Sequence, residues 1–154
     1  KIRPGNYGDA RSISALNQLV QDKHSDAVPW LFKPRFLDDE AIKTILDRKD
    51  TTLLVACVDD KVVGYAYGQI KEIPETSLTN SYTAMHVHHI SVFPEFQDLG
   101  IGRSLMRGIR EIANKHQMDR LTVNYWIFND QAKRFFRSFG MQPYLELAWE
   151  ELTN

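Results

Sequence analysis

The segment ISVFPEFQDLGIGRSLM, Ile90 to Met106, constrains this chain more than any other. An alternating apolar run reaches Phe93 and meets Pro94, and two glycines two residues apart then lead into helical spacing. A strand must therefore end, turn and become a helix within a few residues. A helix N-terminus leaves about four main-chain N–H groups without internal partners and carries partial positive charge. Glycines let such groups crowd around an anion without a Cβ in the way. QDLGIG before a helix is thus a candidate phosphate cradle, although a short Gly-x-Gly is also an ordinary tight turn. There is no G-x-x-x-x-G-K-[ST] loop, and Leu105 stands where a G-x-G-x-x-G motif has its third glycine.

The flanking chain alternates between strand and helix patterns. KIRP reads as a short strand. Ala10, Ile13, Leu16, Leu19 and Val20 recur at helical spacing behind Asp9. HSDAVPWLFKPRF reads as a loop, and Asp38 or Asp39 can cap a helix whose stripe is Ala41, Ile42, Ile45 and Leu46. TTLLVACV and KVVGYAYGQI flank Asp59–Asp60 as a hairpin. Val63, Tyr65 and Tyr67 share one face of the second strand, and Gly64, Ala66 and Gly68 the other. KEIPETSLTNS is a polar loop, YTAMHVHHISVF a strand, GIGRSLMRGIREIANKH a helix and RLTVNYWIF a strand. NDQAKRFFRSFG is a helix starting at Asn129 or Asp130 and stopped by Gly140. MQPYLELAWEEL has strand character. This order is neither all-β nor a strict βαβ repeat. It predicts an α/β (α+β) chain, a mixed sheet with helices on both faces.

Composition excludes several classes. With 154 residues, 43% of them hydrophobic, the chain can build one domain, residues 1–154, around a real core. A net charge of −1 is no nucleic-acid footprint. No apolar run approaches the ~20 residues that span a bilayer, so neither nucleic acid nor membrane is an expected partner. No signal-peptide pattern opens the chain, which begins at Lys1, and the single Cys57 fits a reducing, cytoplasmic setting. Cys57 lies in a strand-like run and reads as a small buried hydrophobe rather than a nucleophile.

ISVFPEFQDLGIGRSLM resembles the central motif of the GNAT superfamily of N-acetyltransferases: a strand, a Pro-containing link, then [QR]-x-x-G-x-[GA] entering a helix. Gln97, Gly100 and Gly102 fill that pattern, with Val92 five residues ahead. A second family motif, N-x-x-A-x-x-F-[YF]-x-x-x-G-[FM], is matched by Asn129, Ala132, Phe135, Phe136, Gly140 and Met141. The resemblance implies a largely antiparallel sheet of six to seven strands with a V-shaped opening between the fourth and fifth. It implies acetyl-CoA as cosubstrate and no metal. The pantetheine arm would pair with main chain at Ile90, Ser91 and Val92. The pyrophosphate would meet N–H groups of Asp98, Leu99, Gly100, Ile101, Gly102, Arg103 and Ser104. Gln97 belongs to the same binding motif, and Asn129 and Phe136 would lie near the pantetheine.

The implied activity is transfer of an acetyl group from acetyl-CoA to a primary amine of a small molecule or peptide, by direct attack in a ternary complex. The amine must first lose a proton, which suits a base with a pKa near 7. The oxyanion then needs donors, such as N–H near Ile90 or Ser91. Strict alternation places His86, His88 and Ile90 on one face and Val87 and His89 on the other. His86 and His88, six and four residues before Val92, resemble paired histidines of arylalkylamine N-acetyltransferases. They are the expected proton acceptors, against the simpler reading of hydrogen-bonded strand residues.

One departure stands out. The family often has tyrosine, the donor to departing thiolate, where this chain has Phe136. Tyr82, Tyr125 and Tyr144 are alternative donors, or none is needed. The departure also leaves open an acyl-CoA-binding sensor without catalysis. A nucleotide-binding module using the same glycine turn ranks last, because it leaves the second motif unexplained. Trp30 and Phe32 are expected to wall the acceptor groove or to pack the first two helices, and Glu72 and Glu75 to attract a cationic acceptor or simply to be solvated. The acceptor's identity and a homodimer both stay open.

Overall fold

Turn chemistry and alternation build the sheet of the computed structural model, which describes residues 1–153. Asp59 and Asp60 both adopt positive φ, 47° and 61°, the pairing a two-residue hairpin turn demands. They join β2 (Thr51–Val58) to β3 (Lys61–Ile73). Pro74 then ends β3, since proline cannot donate to a ladder. Lys71–Ile73, expected in the following loop, therefore still pair with Ala84, Thr83 and Tyr82 of β4 (Tyr82–Val92).

The chain divides into two compact units, Lys1–Asn124 and Tyr125–Asn154. The first contains β1 (Ile2–Pro4), α1 (Ala10–Ala27), α2 (Asp39–Asp47), the hairpin strands and β4. It ends with α3 (Ile101–Lys115) and β5 (Arg120–Val123). The sheet order is β1-β2-β3-β4-β5, antiparallel except for the parallel pair β4–β5. Asp38 caps α2 by accepting from the Ala41 N–H at 2.8 Å. Helix α1 runs through His24–Ala27, which the sequence pattern assigns to a loop. It stops at Val28, where Pro29 disfavours helical backbone for the residue before it.

The two sheet faces differ in what they bury. Ala10, Ile13 and Leu16 of α1 and Ile42 of α2 pack on Leu53, Val55, Tyr65 and Tyr67. Helix α3 buries Leu105, Met106, Ile109 and Ala113, and its Gly108 lies so close to the sheet that a Cβ there would stand 2.7 Å from Leu54 Cδ1. Helices thus cover both faces. Cys57 is buried and free, as its strand position suggests.

The second unit holds α4 (Asp130–Ser138). Asn129 caps it, accepting from the Ala132 N–H at 3.1 Å. Gly140, at φ 97°, closes it, with Gly140 N–H donating to Arg137 O and Met141 N–H to Phe136 O. Phe136 is buried, stacked on Tyr125 and edge-on to Phe135.

Among the described residues the expected six to seven strands are five. RLTVNYWIF is a strand only to Val123, because a turn at 126–129 follows, with Asn129 N–H donating to Trp126 O. MQPYLELAWEEL forms no strand, and Leu145, Leu147 and Trp149 are exposed. Alternation stabilises a strand only where a ladder and a buried face reward it, and among the described residues no ladder reaches this segment.

The close approach of β3 and β4 rests on Gly64. A Cβ there would meet Ser91 O at 3.0 Å and Val92 Cγ2 at 3.1 Å. Gly64→Ala is expected to cost about 1–3 kcal/mol of stability through overpacking. Urea denaturation with an unchanged midpoint would contradict this.

Candidate active site

The site begins with a mismatch of one residue. Along the β3–β4 ladder Tyr67 faces His89 while Gly68 faces Val87, so His88 is an extra residue bulged out of β4. The bulge resets alternation. Gln69 and Tyr67 share a face of β3, so their partners His86 and His89 share it too. The His88 ring stacks on Tyr67 at 4.9 Å and stands 4.9 Å from His86. All three histidines therefore lie on the face carrying Tyr65, Tyr67 and Gln69. Ile90, paired with Ala66, lies on the other. This corrects the alternation expected from sequence, which grouped Ile90 with His86 and His88 and put His89 opposite.

Two hydrogen-bond chains fix how two of these rings are protonated. Arg48 pairs with both Asp50 oxygens, at 2.9 and 2.8 Å. Asp50 Oδ2 also accepts from Gln69 Nε2 at 2.7 Å, which turns Gln69 Oε1 toward His88 Nε2 at 2.9 Å. That oxygen can only accept, so neutral His88 carries its hydrogen on Nε2 and leaves Nδ1 basic. The second chain starts at the Leu37 N–H, which donates to Asn17 Oδ1 at 2.8 Å. Asn17 Nδ2 then donates to the Tyr65 hydroxyl at 3.2 Å. Tyr65 in turn lies 3.2 Å from His89 Nδ1. With its oxygen accepting from Asn17, the buried phenol places its hydrogen on Nδ1, and neutral His89 keeps its own on Nε2.

Burial sets the charges. It lowers the pKa of all three histidines, His86 with help from Lys71. His88 is pushed down to about 4 by burial, then by His86, Lys71 and Arg48. His89 is pushed down to about 4 by burial, then by His88 and His24. All three are neutral at pH 7. His86 Nδ1 also shares a 2.8 Å hydrogen bond with Thr122 Oγ1 of β5. Hydrogen bonds from Arg48 and Gln69 hold Asp50 well below the usual carboxylate range.

Strands β4 and β5 pair only over Ala84–Val87. Beyond Val87 the outer edge of β4 continues without β5. Phe93 N–H donates to Val63 O at 2.9 Å. Antiparallel alternation then turns Ser91 toward β3, and the main-chain groups of Ile90 and Val92 toward the open edge. Ser91 is buried, its hydroxyl donating to Leu16 O at 3.0 Å. Gln97 Nε2 donates to Val92 O at 3.0 Å, tying the link to the strand end. Asp98, at φ 62°, and Gly100, at φ 80°, bend the chain into α3. Ser104 N–H is already inside the helix, donating to Gly100 O at 3.0 Å. The N–H groups of Ile101 and Gly102 precede any i−4 acceptor and project from the helix end. Leu99 is exposed and Arg103 lies in the first turn.

His86, His88, Ile90, Val92 and the 97–104 turn all lie in the first unit, the turn tied to Val92 through Gln97 and the histidines on the face opposite the Ile90 side chain. Asn129 and Phe136 belong to the second, where Asn129 Oδ1 serves as the α4 cap. Tyr125 stacks on Phe136 and Tyr144 is exposed, both in that unit. The Phe32 ring lies 4.9 Å from His24, tilted by 34°, and lines a cleft of about 420 Å³ with Asn17, Lys33, Arg35, Phe36 and His89. Trp30 lies outside that lining and is largely exposed. A second cleft, of about 470 Å³, includes Glu72, Tyr82, Thr83 and Asp119. Thr83 is seven residues from Ile90, roughly 20 Å along a strand, so neither Glu72 nor Tyr82 borders the open edge. Among the described residues no three His, Cys, Asp or Glu side chains converge as metal ligands, and no helix is long and apolar enough to cross a membrane.

Asn17, Gln69 and Asp50, which the sequence does not single out, and Tyr65, which it only places on a strand face, hydrogen-bond the histidines directly or through one another, and His89 joins the face from which alternation excludes it. HVHH is compatible with strict alternation, which puts adjacent histidines on opposite faces, so the bulge that gathers all three on one face is visible only in the register against β3.

The model of the acetyltransferase (GNAT) family matches residues 14–141. The chain belongs to that family and is an acyltransferase. No curated protein matches it significantly in sequence. Among solved structures it is similar to a mutant of the BH1408 protein from Bacillus halodurans (21% identity, 99% of each chain, TM-score 0.94). It is also similar to the aminoglycoside N-acetyltransferase AAC(6')-Iy in complex with CoA (14% identity, 100% of each chain, TM-score 0.74). A third is the aminoglycoside acetyltransferase meta-AAC0020 from an uncultured soil metagenomic sample, in complex with sisomicin (18% identity, 99% of this chain and 96% of that one, TM-score 0.68). At these identities the structural likeness establishes the fold.

The depressed histidines make stability pH-dependent. Between pH 6.5 and about 4 the unfolded chain binds protons that folded His89 refuses. Stability is therefore full above pH 6.5 and falls as pH drops toward 4. Thermal melting followed from pH 8 to 4 is expected to show that fall, with a shallower slope in His89→Gln. Equal slopes in both proteins would contradict the assignment.

Proposed function

We propose that this acyltransferase moves an acetyl group from acetyl-CoA to a primary amine by direct attack in a ternary complex. The observation that carries the proposal is the open β4 edge at Ile90 and Val92, running through the Gln97-anchored link into the helix end at Gly100. Strand main chain without a β5 partner suits the amide groups of pantetheine. A helix N-terminus behind a glycine suits pyrophosphate. A Cβ at Gly100 would touch nothing within 4 Å, so this glycine is required by its φ of 80°. The residues present thus fit the cosubstrate, and relatives of this fold include a complex with CoA. The family match spans both units, which supports a single acetyltransferase domain over the chain.

When bound, the thioester supplies an acyl group activated toward amines. This chain's own part is to orient and to move protons. His88 Nδ1 is the acceptor atom left by the Arg48–Asp50–Gln69 chain. Its low pKa keeps it neutral at pH 7 but makes it a weaker base than one titrating near 7, so it acts as a relay that holds the proton only briefly. The same low pKa makes it give the proton up readily, with His86 4.9 Å away as the next station. The Ile90 N–H at the open edge is the candidate oxyanion donor. Phe136 brings no phenol, but a thiol acidity near 8.5 makes a proton donor dispensable.

The double variant His86→Ala/His88→Ala tests this directly. Turnover at pH 7 is expected to fall about 10²-fold or more, with acetyl-CoA affinity nearly unchanged by calorimetry. Raising the pH recovers part of the loss, because more amine then arrives deprotonated. A folded double variant with wild-type turnover from pH 6 to 9 would remove both histidines from the mechanism. A wild type that binds no CoA ester would remove the cosubstrate.

A further inference from the structure

Of the two clefts described above, one reaches β4 at His89, the neighbour of Ile90. It is the space between α1, the 31–37 segment and β4, and His89, beside Ile90, forms part of its wall. Its chemistry has two parts. Leu31, Phe32, Phe36 and Leu37 give an apolar wall. Lys33 and Arg35 supply two positive charges, and the described lining contains no carboxylate. Neither cation makes an ion pair among the described residues.

The segment is held in place. Gln21 Nε2 donates to Lys33 O at 2.9 Å. Leu37 is held at both main-chain groups, its N–H by Asn17 and its O by the Ser14 hydroxyl at 2.6 Å. The same Asn17 begins the chain through Tyr65 that leaves the His89 hydrogen on Nε2. His89 therefore contributes a neutral N–H donor to this wall, whereas His88, one residue away, offers a basic nitrogen. A wall with two cations, a neutral donor and apolar side chains matches one kind of ligand group: a carboxylate attached to an apolar body.

We propose that the acceptor is an amine that also carries a carboxylate and an apolar side chain, an amino-acid-type molecule, with Lys33, Arg35 and His89 Nε2–H reading the carboxylate. This deepens the acetyltransferase reading and rests on it. The acidic second cleft around Glu72 and Asp119 would suit a cationic acceptor, but it lies roughly 20 Å along β4 from Ile90. A polycationic amine would meet repulsion from Lys33 and Arg35 in the cleft that reaches His89.

The test compares matched acceptors with the full chain and acetyl-CoA: phenylalanine against phenylalaninamide, leucine against leucinamide, and sisomicin as a polycation. The amide of each pair has the less basic amine, so a preference for the acid cannot come from easier deprotonation. The expected result is a kcat/KM at least about tenfold higher for each acid than for its amide, and lower still for sisomicin. In Lys33→Glu/Arg35→Glu, two exposed substitutions, that preference should reverse, mainly through KM. Wild-type kcat/KM equal or greater for the amides would overturn the proposal. So would an unchanged acid-to-amide ratio in the charge-reversed variant. Those outcomes leave the acetyltransferase reading standing. Absence of acetyl-CoA binding, or of CoA release with every amine, would instead defeat that reading and this inference with it.

Discussion

The site depends on one unmatched residue. His88 has no partner on β3, and the ladder resumes a residue later with His89 opposite Tyr67. A bulge locally disrupts pairing and increases twist. In this chain it falls one residue past Val87, the last that β5 pairs with β4. The same irregularity that gathers three imidazoles on one face thus sits where the β4 edge becomes open. Without it, His89 would project to the α3 face, where Leu105, Met106 and Ile109 are packed.

Around the bulge, polar groups buried at some cost are used to set direction. A histidine's two nitrogens become distinct only when a neighbour decides which one bears the hydrogen. Asp50 orients Gln69, which makes His88 an acceptor at Nδ1. The Leu37 main chain orients Asn17, and through Tyr65 makes His89 a donor at Nε2. Adjacent residues with the same side chain thereby present opposite hydrogen-bonding character. Burial keeps both neutral, so this difference persists at neutral pH.

The elements most legible in the sequence are those fixed by backbone chemistry within a few residues. Gly100 at φ 80°, Asn129 as a cap, Gly140 as a stop and Asp59–Asp60 as a hairpin turn each follow from local conformational preference. The helix entry and the strand before it are readable for the same reason. The faces of His89 and Ile90 are not, because a bulge is decided by register against β3, which no local pattern records. The expected strand count fails for a related reason: Leu145, Leu147 and Trp149 alternate like a strand, but alternation does not supply a neighbour. The tautomer-setting residues Asn17, Gln69 and Asp50 lie 72, 19 and 38 residues from the histidines they govern, across separate elements. The family resemblance identifies the strand edge and the helix end, and the structure adds which main-chain groups face outward.

Amide hydrogen exchange resolved by residue, with and without saturating acetyl-CoA, tests the central claim most directly. The open edge and the helix end should bind the cosubstrate through main-chain N–H groups. Exchange at Ile90, Val92, Ile101 and Gly102 should therefore slow on addition, while Ser91, already turned toward β3, should change little. Unchanged exchange at those four amides at saturation, with protection arising elsewhere in the chain, would contradict the account.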